Sequence, residues 1–202
     1  LGGLSVSPDN KLAVFSFDII GRRIYDIQVK NLETGEILSD KIENVTGGSV
    51  WANDNKTIFY TTQDKITLRS DKVFKHKLGT NASDDFLVYH EEDDTFNLYI
   101  SKEKSRKYIV IGCGSTLTSE YRILNSDNPD GEFVVFQPRV RGLEYSISHF
   151  GDSFYVLTNK DKATNFKLMK TKSEHRCILF TGAFANRGKR ISNIKSCNRR
   201  IT

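Results

Sequence analysis

Short runs in which apolar and polar residues alternate, separated by turn-forming residues, make up most of this chain. In residues 49–60, two apolar residues lead into a turn of Asn and Asp, and a β-branched and aromatic run follows. This pattern predicts two strands joined by a tight turn. Residues 4–15 show the same order, and Asp9-Asn10-Lys11 recurs as Asp54-Asn55-Lys56, 45 positions later. The chain therefore contains an internal repeat.

Equivalent turns recur down the chain at spacings of about 45 to 50 residues, with about four short strands between them. In the first unit the strands are predicted at 4–7, 12–17, 24–30 and 36–38. The units are predicted at about 1–46, 47–91, 92–140 and 141–172. Repeats of this length, built from antiparallel strands, are typical of β-propeller blades. We expect an all-β fold, a partial propeller of about four four-stranded blades; a two-sheet sandwich is the structural alternative.

The net charge of +5 suggests an anionic partner until it is divided along the chain. Residues 171–202 carry +7, whereas residues 1–170 carry −2. Nucleic-acid binding usually requires a basic face on the folded part, so we expect no nucleic-acid partner. The basic segment, residues 173–202, also loses the strand pattern. It is expected to come from a shifted reading frame; a divergent, partly disordered terminus is the alternative.

Three cysteines, Cys113, Cys177 and Cys197, have no spacing that is typical of a disulfide framework or a zinc site. Unpaired thiols slightly favour a reducing compartment such as the cytoplasm. No apolar run is long enough to span a membrane, and no cofactor motif is present. The chain opens on Leu1-Gly2-Gly3, without Met, and is expected to be a piece of a longer protein.

No catalytic constellation is recognisable in the sequence. The four histidines, His76, His90, His149 and His175, share no metal-ligand spacing; His76 is predicted on a strand and His149 in a turn. Serine hydrolases of the α/β type need a G-x-S-x-G elbow, which is missing. The acidic run after His90 is expected to be a solvated hairpin turn rather than a metal site.

Several ordered phrases resemble a known family. They include Asn31-Leu32-Glu33-Thr34-Gly35, Val50-Trp51-Ala52-Asn53-Asp54, Val73-Phe74-Lys75-His76-Lys77, Tyr89-His90-Glu91-Glu92-Asp93 and Thr118-Ser119-Glu120-Tyr121-Arg122. In order and spacing they are similar to the propeller of the oligopeptidase B (protease II) group of the prolyl oligopeptidase family of serine peptidases. The match covers residues 1–170.

The resemblance implies a seven-bladed propeller set against an α/β-hydrolase domain that carries the catalytic triad. It also implies cleavage of short peptides after Lys or Arg, with the propeller acting as a lid that excludes folded proteins. This chain would supply about four blades, and no catalytic residue is carried over. A stand-alone propeller that binds other proteins is the alternative function, and a nucleic-acid or membrane binder acting through the basic segment is a third.

If the family assignment holds, five residues are candidates for the contact with the missing catalytic domain: Glu91, Glu92, Asp93, Glu120 and Arg122. The structural alternative is a solvated turn and an ion pair within one sheet. A partial ring would also leave the first and last sheets with uncovered apolar faces, so we expect self-association through them.

Overall fold

A computed structural model describes residues 1–173 of the chain, and these residues fold into antiparallel strands with one short 3-10 helix and no α-helix. The strands are β1 Gly3–Val6, β2 Leu12–Phe17, β3 Tyr25–Asn31, β4 Ile37–Trp51, β5 Thr57–Gln63, β6 Ser70–Lys77, β7 Phe86–His90, β8 Asn97–Lys102, β9 Tyr108–Gly114, β10 Ser119–Asn125, β11 Val134–Gln137, β12 Tyr145–Phe150, β13 Ser153–Thr158 and β14 Lys167–Lys172. The 3-10 helix η1, Ala82–Asp84, precedes β7. The all-β prediction is confirmed.

The strands pair in the order in which they occur in the chain. β1 to β7 form a seven-stranded sheet, β8 to β11 a four-stranded sheet and β12 to β14 a three-stranded sheet. Every pairing is antiparallel, as short connections between consecutive strands require. The predicted basic segment lies, apart from Ser173, outside the described residues, as do Cys177 and Cys197.

β4 is shared between two four-stranded groups. Its first part pairs with β3, and its last part pairs with β5 through contacts such as Val50 with Phe59. Between them the register shifts, and Gly47 has a φ of +93°. The predicted end of this strand at residue 38 is wrong, because polar residues such as Asp40 interrupt the apolar pattern. Asp40 is nevertheless buried inside the strand.

The repeated turns are equivalent in the structure. Asn10 and Asn55 both have positive φ, 62° and 59°, as tight turns require. In each turn the preceding Asp accepts a backbone hydrogen bond two residues on, from Lys11 and Lys56 respectively. The two turns also touch, since the backbone N–H of Asp9 donates to Oδ1 of Asn55 at 2.9 Å.

In residues 1–173 the core lies between successive strand groups, in three clusters. The first contains Val14 and Trp51, the second Phe59 and Ile111, and the third contains Phe154 among other aromatic and aliphatic side chains. Strand groups that pack face to face in sequence order bury one face of each group against the next. This arrangement is that of consecutive propeller blades.

The last three-stranded sheet corrects one sequence expectation. His149 is not in a turn: it lies on β12, buried beside the rings of Tyr108 and Phe154. The turn begins after Phe150, where Gly151 supplies a φ of +64°. In the part of the chain described, no helix is both long and apolar enough to cross a membrane.

Candidate functional site

The candidate residues lie at one end of the strand groups. Because neighbouring strands run in opposite directions, successive connections alternate between the two ends. The connections at this end are 18–24, 64–69, 91–96, 115–118, 138–144 and 159–166. We call it the Glu91 end. Hydrogen bonds between neighbouring segments stabilise it: for example, Gln63 Nε2, at the end of β5, donates to the carbonyl oxygen of Arg23 in the connection 18–24 at 2.7 Å.

Glu91 and Arg139 form the centre of the site. Glu91 is only 3% exposed, yet both of its carboxylate oxygens accept hydrogen bonds from the Arg139 guanidinium. The Tyr89 hydroxyl donates to Glu91 Oε2 at 2.9 Å, and the backbone N–H of Asp93 donates to Oε1 at 3.1 Å. A two-point contact of this kind fixes geometry as well as charge.

The ionisation of Glu91 follows from these contacts. Burial alone would raise the pKa of the Glu91 carboxyl, but the hydrogen bonds from Arg139 and Tyr89 outweigh burial, so the pKa lies below its ordinary value. The same carboxylates raise the pKa of Arg139 despite its own burial. Each group therefore favours the charged form of the other.

Arg139 also reaches β10 and the aromatic core. Its Nη2 lies 3.6 Å from Glu120 Oε1, and its guanidinium carbon lies 3.8 Å from the ring centroid of Phe96. Arg122 donates to the same Glu120 oxygen at 2.9 Å and stacks over the ring of Tyr89 at 4.3 Å. The site thus joins the connection 91–96, the strand β10 and the connection 138–144.

A second arginine, Arg69, binds the backbone of the acidic turn. Arg69 Nη1 donates to the carbonyl oxygens of Glu91, Asp93 and Phe96 at 3.2, 3.2 and 2.9 Å. Because one side chain links three backbone acceptors, Arg69 restrains the turn that carries the exposed carboxylates.

The structure brings four of the five predicted site residues together around Arg139 and leaves Glu92 apart on the surface. Glu91 and Glu120 are buried, so the expectation of a solvated turn is wrong at Glu91. The side chain of Asp93 is 46% exposed. Among residues 1–173, no cluster of His, Cys, Asp or Glu is arranged to hold a metal ion.

Sequence reasoning missed Arg139, the residue that organises the site. It lies 48 positions from Glu91, in a loop with no motif of its own. The available signal was that residues 138–144 carry two arginines, and that in a four-stranded repeat this connection falls beside the acidic one. Next to it, a cavity of about 520 Å³ is lined in part by Val140, Leu143 and Asn159.

Residues 1–176 match the family described as prolyl oligopeptidase, N-terminal beta-propeller domain. The chain belongs to the prolyl oligopeptidase family. The resemblance drawn from the sequence and the partial-propeller fold are therefore confirmed, and the chain represents the N-terminal propeller region of a peptidase of this family.

Two curated members of the prolyl oligopeptidase family illustrate the match. The chain is 44% identical over 174 residues to dipeptidyl aminopeptidase BI of Pseudoxanthomonas mexicana. This alignment covers 86% of this chain and 24% of the relative. It is 38% identical over 148 residues to protease 2 of Moraxella lacunata, covering 72% and 21%. The chain thus spans about a quarter of the length of these relatives.

Solved structures of the family agree in fold. Oligopeptidase B from Leishmania major aligns with a TM-score of 0.84 at 26% identity, over 92% of this chain and 26% of that one. Oligopeptidase B from Trypanosoma brucei, described as a closed form with covalently bound antipain, aligns with a TM-score of 0.76 at 30% identity, over 85% and 24%.

Proposed function

We propose that this chain is the non-catalytic, substrate-gating part of an oligopeptidase B-like serine peptidase that cleaves short peptides after Lys or Arg. Four blades, at about 1–46, 47–91, 92–140 and 141–172, form part of the propeller, and an α/β-hydrolase domain is its partner. Family membership and the missing G-x-S-x-G elbow support a non-catalytic role for these 202 residues. The description of one relative as a closed form supports a lid that opens and closes.

The Glu91 end is the surface that we propose contacts the catalytic domain. The observation that carries this proposal is the Arg139 cluster, which neutralises Glu91 and Glu120 internally. The cluster leaves Glu92, Asp93 and Asp94 exposed on a turn that hydrogen bonds from Arg69 restrain. A restrained row of carboxylates is suited to basic groups on a partner, because little conformational entropy is lost on binding.

Charge reversal in the full-length product of the gene tests this contact. Glu92→Lys combined with Asp94→Lys is expected to lower kcat/KM for a short arginyl peptide by about tenfold, since about 1.4 kcal/mol of interface energy corresponds to that factor. The matched control is Glu33→Lys, on the exposed connection at the opposite end of the strands. Equal kcat/KM values in both variants would contradict the proposed contact surface.

A second activity, release of dipeptides from a free amino terminus, is favoured by the 44% identity to a relative named dipeptidyl aminopeptidase. The two activities differ in what they require of the substrate. An endopeptidase cleaves after Arg whether the amino terminus is blocked or free, whereas a dipeptidyl aminopeptidase needs it free. Comparing the full-length protein on acetylated and free versions of one arginyl peptide decides between them.

A further inference from the structure

His76 is buried between two carboxylates. It lies on β6 and is 1% exposed. Its Nδ1 is 2.7 Å from Asp85 Oδ1, and its Nε2 is 3.1 Å from Asp40 Oδ1. The side chains of Asp40 and Asp85 are only 6% and 2% exposed. Water therefore has little access to any of the three groups.

This geometry requires a proton. A neutral imidazole has one N–H, so it can donate to only one of the two carboxylates and must turn a lone pair toward the other. The imidazolium donates to both. With a neutral ring, one buried carboxylate would face the nitrogen lone pair and the two carboxylates would repel each other with no cation between them, which is costly where water cannot screen the charges.

The three groups come from different parts of the fold. Asp40 belongs to the part of β4 that pairs with β3, whereas His76 is on β6 and Asp85 follows η1. Asp40 Oδ1 also accepts the backbone N–H of Gly79 at 2.5 Å. The Tyr60 hydroxyl of β5 donates to Asp85 Oδ2 at 2.8 Å. The cluster therefore ties the connection between β6 and β7 to both four-stranded groups that share β4.

In the part of the chain that the structure describes, no other ion pair stabilises these carboxylates. Among residues 1–173, the only ion-pair partner of Asp40 and Asp85 is His76. The lysines beside His76 on β6, Lys75 and Lys77, point to the other face of the strand, and Lys75 pairs with Asp130. Lys41, next to Asp40, pairs with Glu43. Within the described residues, the proton on His76 is thus the only positive charge between the two carboxylates.

We propose that His76 is a pH-operated clamp that holds the β6–β7 connection against β4 when it is protonated and releases that connection when it loses its proton. This role of His76 does not depend on the activity of the full-length protein. The connection that is released contains Gly79 and η1, which contact β4 at the end opposite to Glu91.

The direction of the pH effect follows from the contacts. Burial alone would lower the pKa of His76, but the hydrogen bonds to Asp85 and Asp40 outweigh burial and raise the pKa above its ordinary value. A raised folded pKa stabilises the fold fully below the unfolded value of about 6.5. That stabilisation is lost as the pH rises through the folded pKa.

Amide exchange at Gly79, measured by NMR on the chain between pH 6 and pH 9, tests the clamp. After correction for intrinsic exchange, the protection of this N–H is expected to fall about tenfold for each pH unit that separates the folded and unfolded His76 pKa values. His76→Gln is expected to remove this pH dependence. His149→Gln is the matched control: His149 is also buried, but burial and the charge of Lys107 lower its pKa, so its effect on stability has the opposite dependence on pH.

Two results would overturn the proposal. One is a pH dependence of Gly79 protection that is unchanged in His76→Gln. The other is a neutral His76 ring at pH 6, shown by the ¹⁵N shifts of its two ring nitrogens in the native protein. This measurement needs no variant, so it applies even if His76→Gln does not fold. Ring nitrogens that are both protonated at pH 6 support the proposal.

Discussion

Glu91 shows how one residue can be misjudged when only its sequence neighbours are considered. It stands among acidic residues, which suggests a solvated turn, yet it is buried because Arg139 meets it from a loop 48 positions away. His76 is a similar case, since its partners Asp40 and Asp85 lie 36 and 9 positions away. Long-range charge pairing of this kind leaves no local pattern in the sequence.

Removing Arg139 is expected to destabilise the fold strongly. Arg139→Met keeps an unbranched side chain but removes the guanidinium that lies over the Phe96 ring and leaves Glu91 buried without its cation, which costs about 3 kcal/mol. The neighbouring exposed Arg141→Met is the control and should change the free energy of unfolding by less than about 0.5 kcal/mol. Urea denaturation measures both. Equal effects would mean that the buried pair contributes little to stability.

Strands and turns were predicted well where apolar periodicity and turn chemistry agreed. The turns around Asn10 and Asn55 are in place, and both have the positive φ that Asn tolerates. β4 was predicted poorly because its buried positions include Asp40, and because it continues through Gly47 into the next group. The strand pattern of a single unit cannot show that two units share one strand.

Gly47 is expected to be essential to the shape of β4. At a φ of +93° a side chain is strained, and a Cβ there would lie 3.2 Å from both the Ser16 hydroxyl and the Tyr25 ring. Gly47→Ala should therefore lower the free energy of unfolding by about 1 to 3 kcal/mol. Gly48→Ala is the matched control, since its Cβ would meet its nearest atom at 3.6 Å. Thermal unfolding of the two variants measures the difference.

The propeller architecture was predictable because it is repeated, so each unit provides independent evidence for the same pattern. Which surfaces remain uncovered follows from the stacking. The outer face of the first group exposes Leu4 (64%), and that of the last sheet exposes Leu157 (48%) and Leu168 (45%). Positions equivalent to the first face, such as Trp51 and Tyr60, are buried within the stack. The uncovered face of the first group is therefore of the type that packs on a preceding group inside the stack, and that of the last sheet is of the type that packs on a following group.

We propose that the isolated chain associates through these faces. Leu157→Lys with Leu168→Lys places two charges on one face, which should shift the chain from oligomer to monomer in light scattering. Leu32→Lys, on an exposed turn, is the control and should leave the distribution unchanged. A wild-type chain that is monomeric at all concentrations would contradict the association.

Hydrolysis of a short arginyl amide by the 202-residue chain and by the full-length product of its gene tests the non-catalytic role of the chain. Activity is expected in the full-length protein and none in the chain, because the catalytic groups would lie in the partner domain. Activity in the chain itself would contradict a non-catalytic role. Activity in neither protein would contradict the peptidase function and favour a stand-alone propeller that acts by binding.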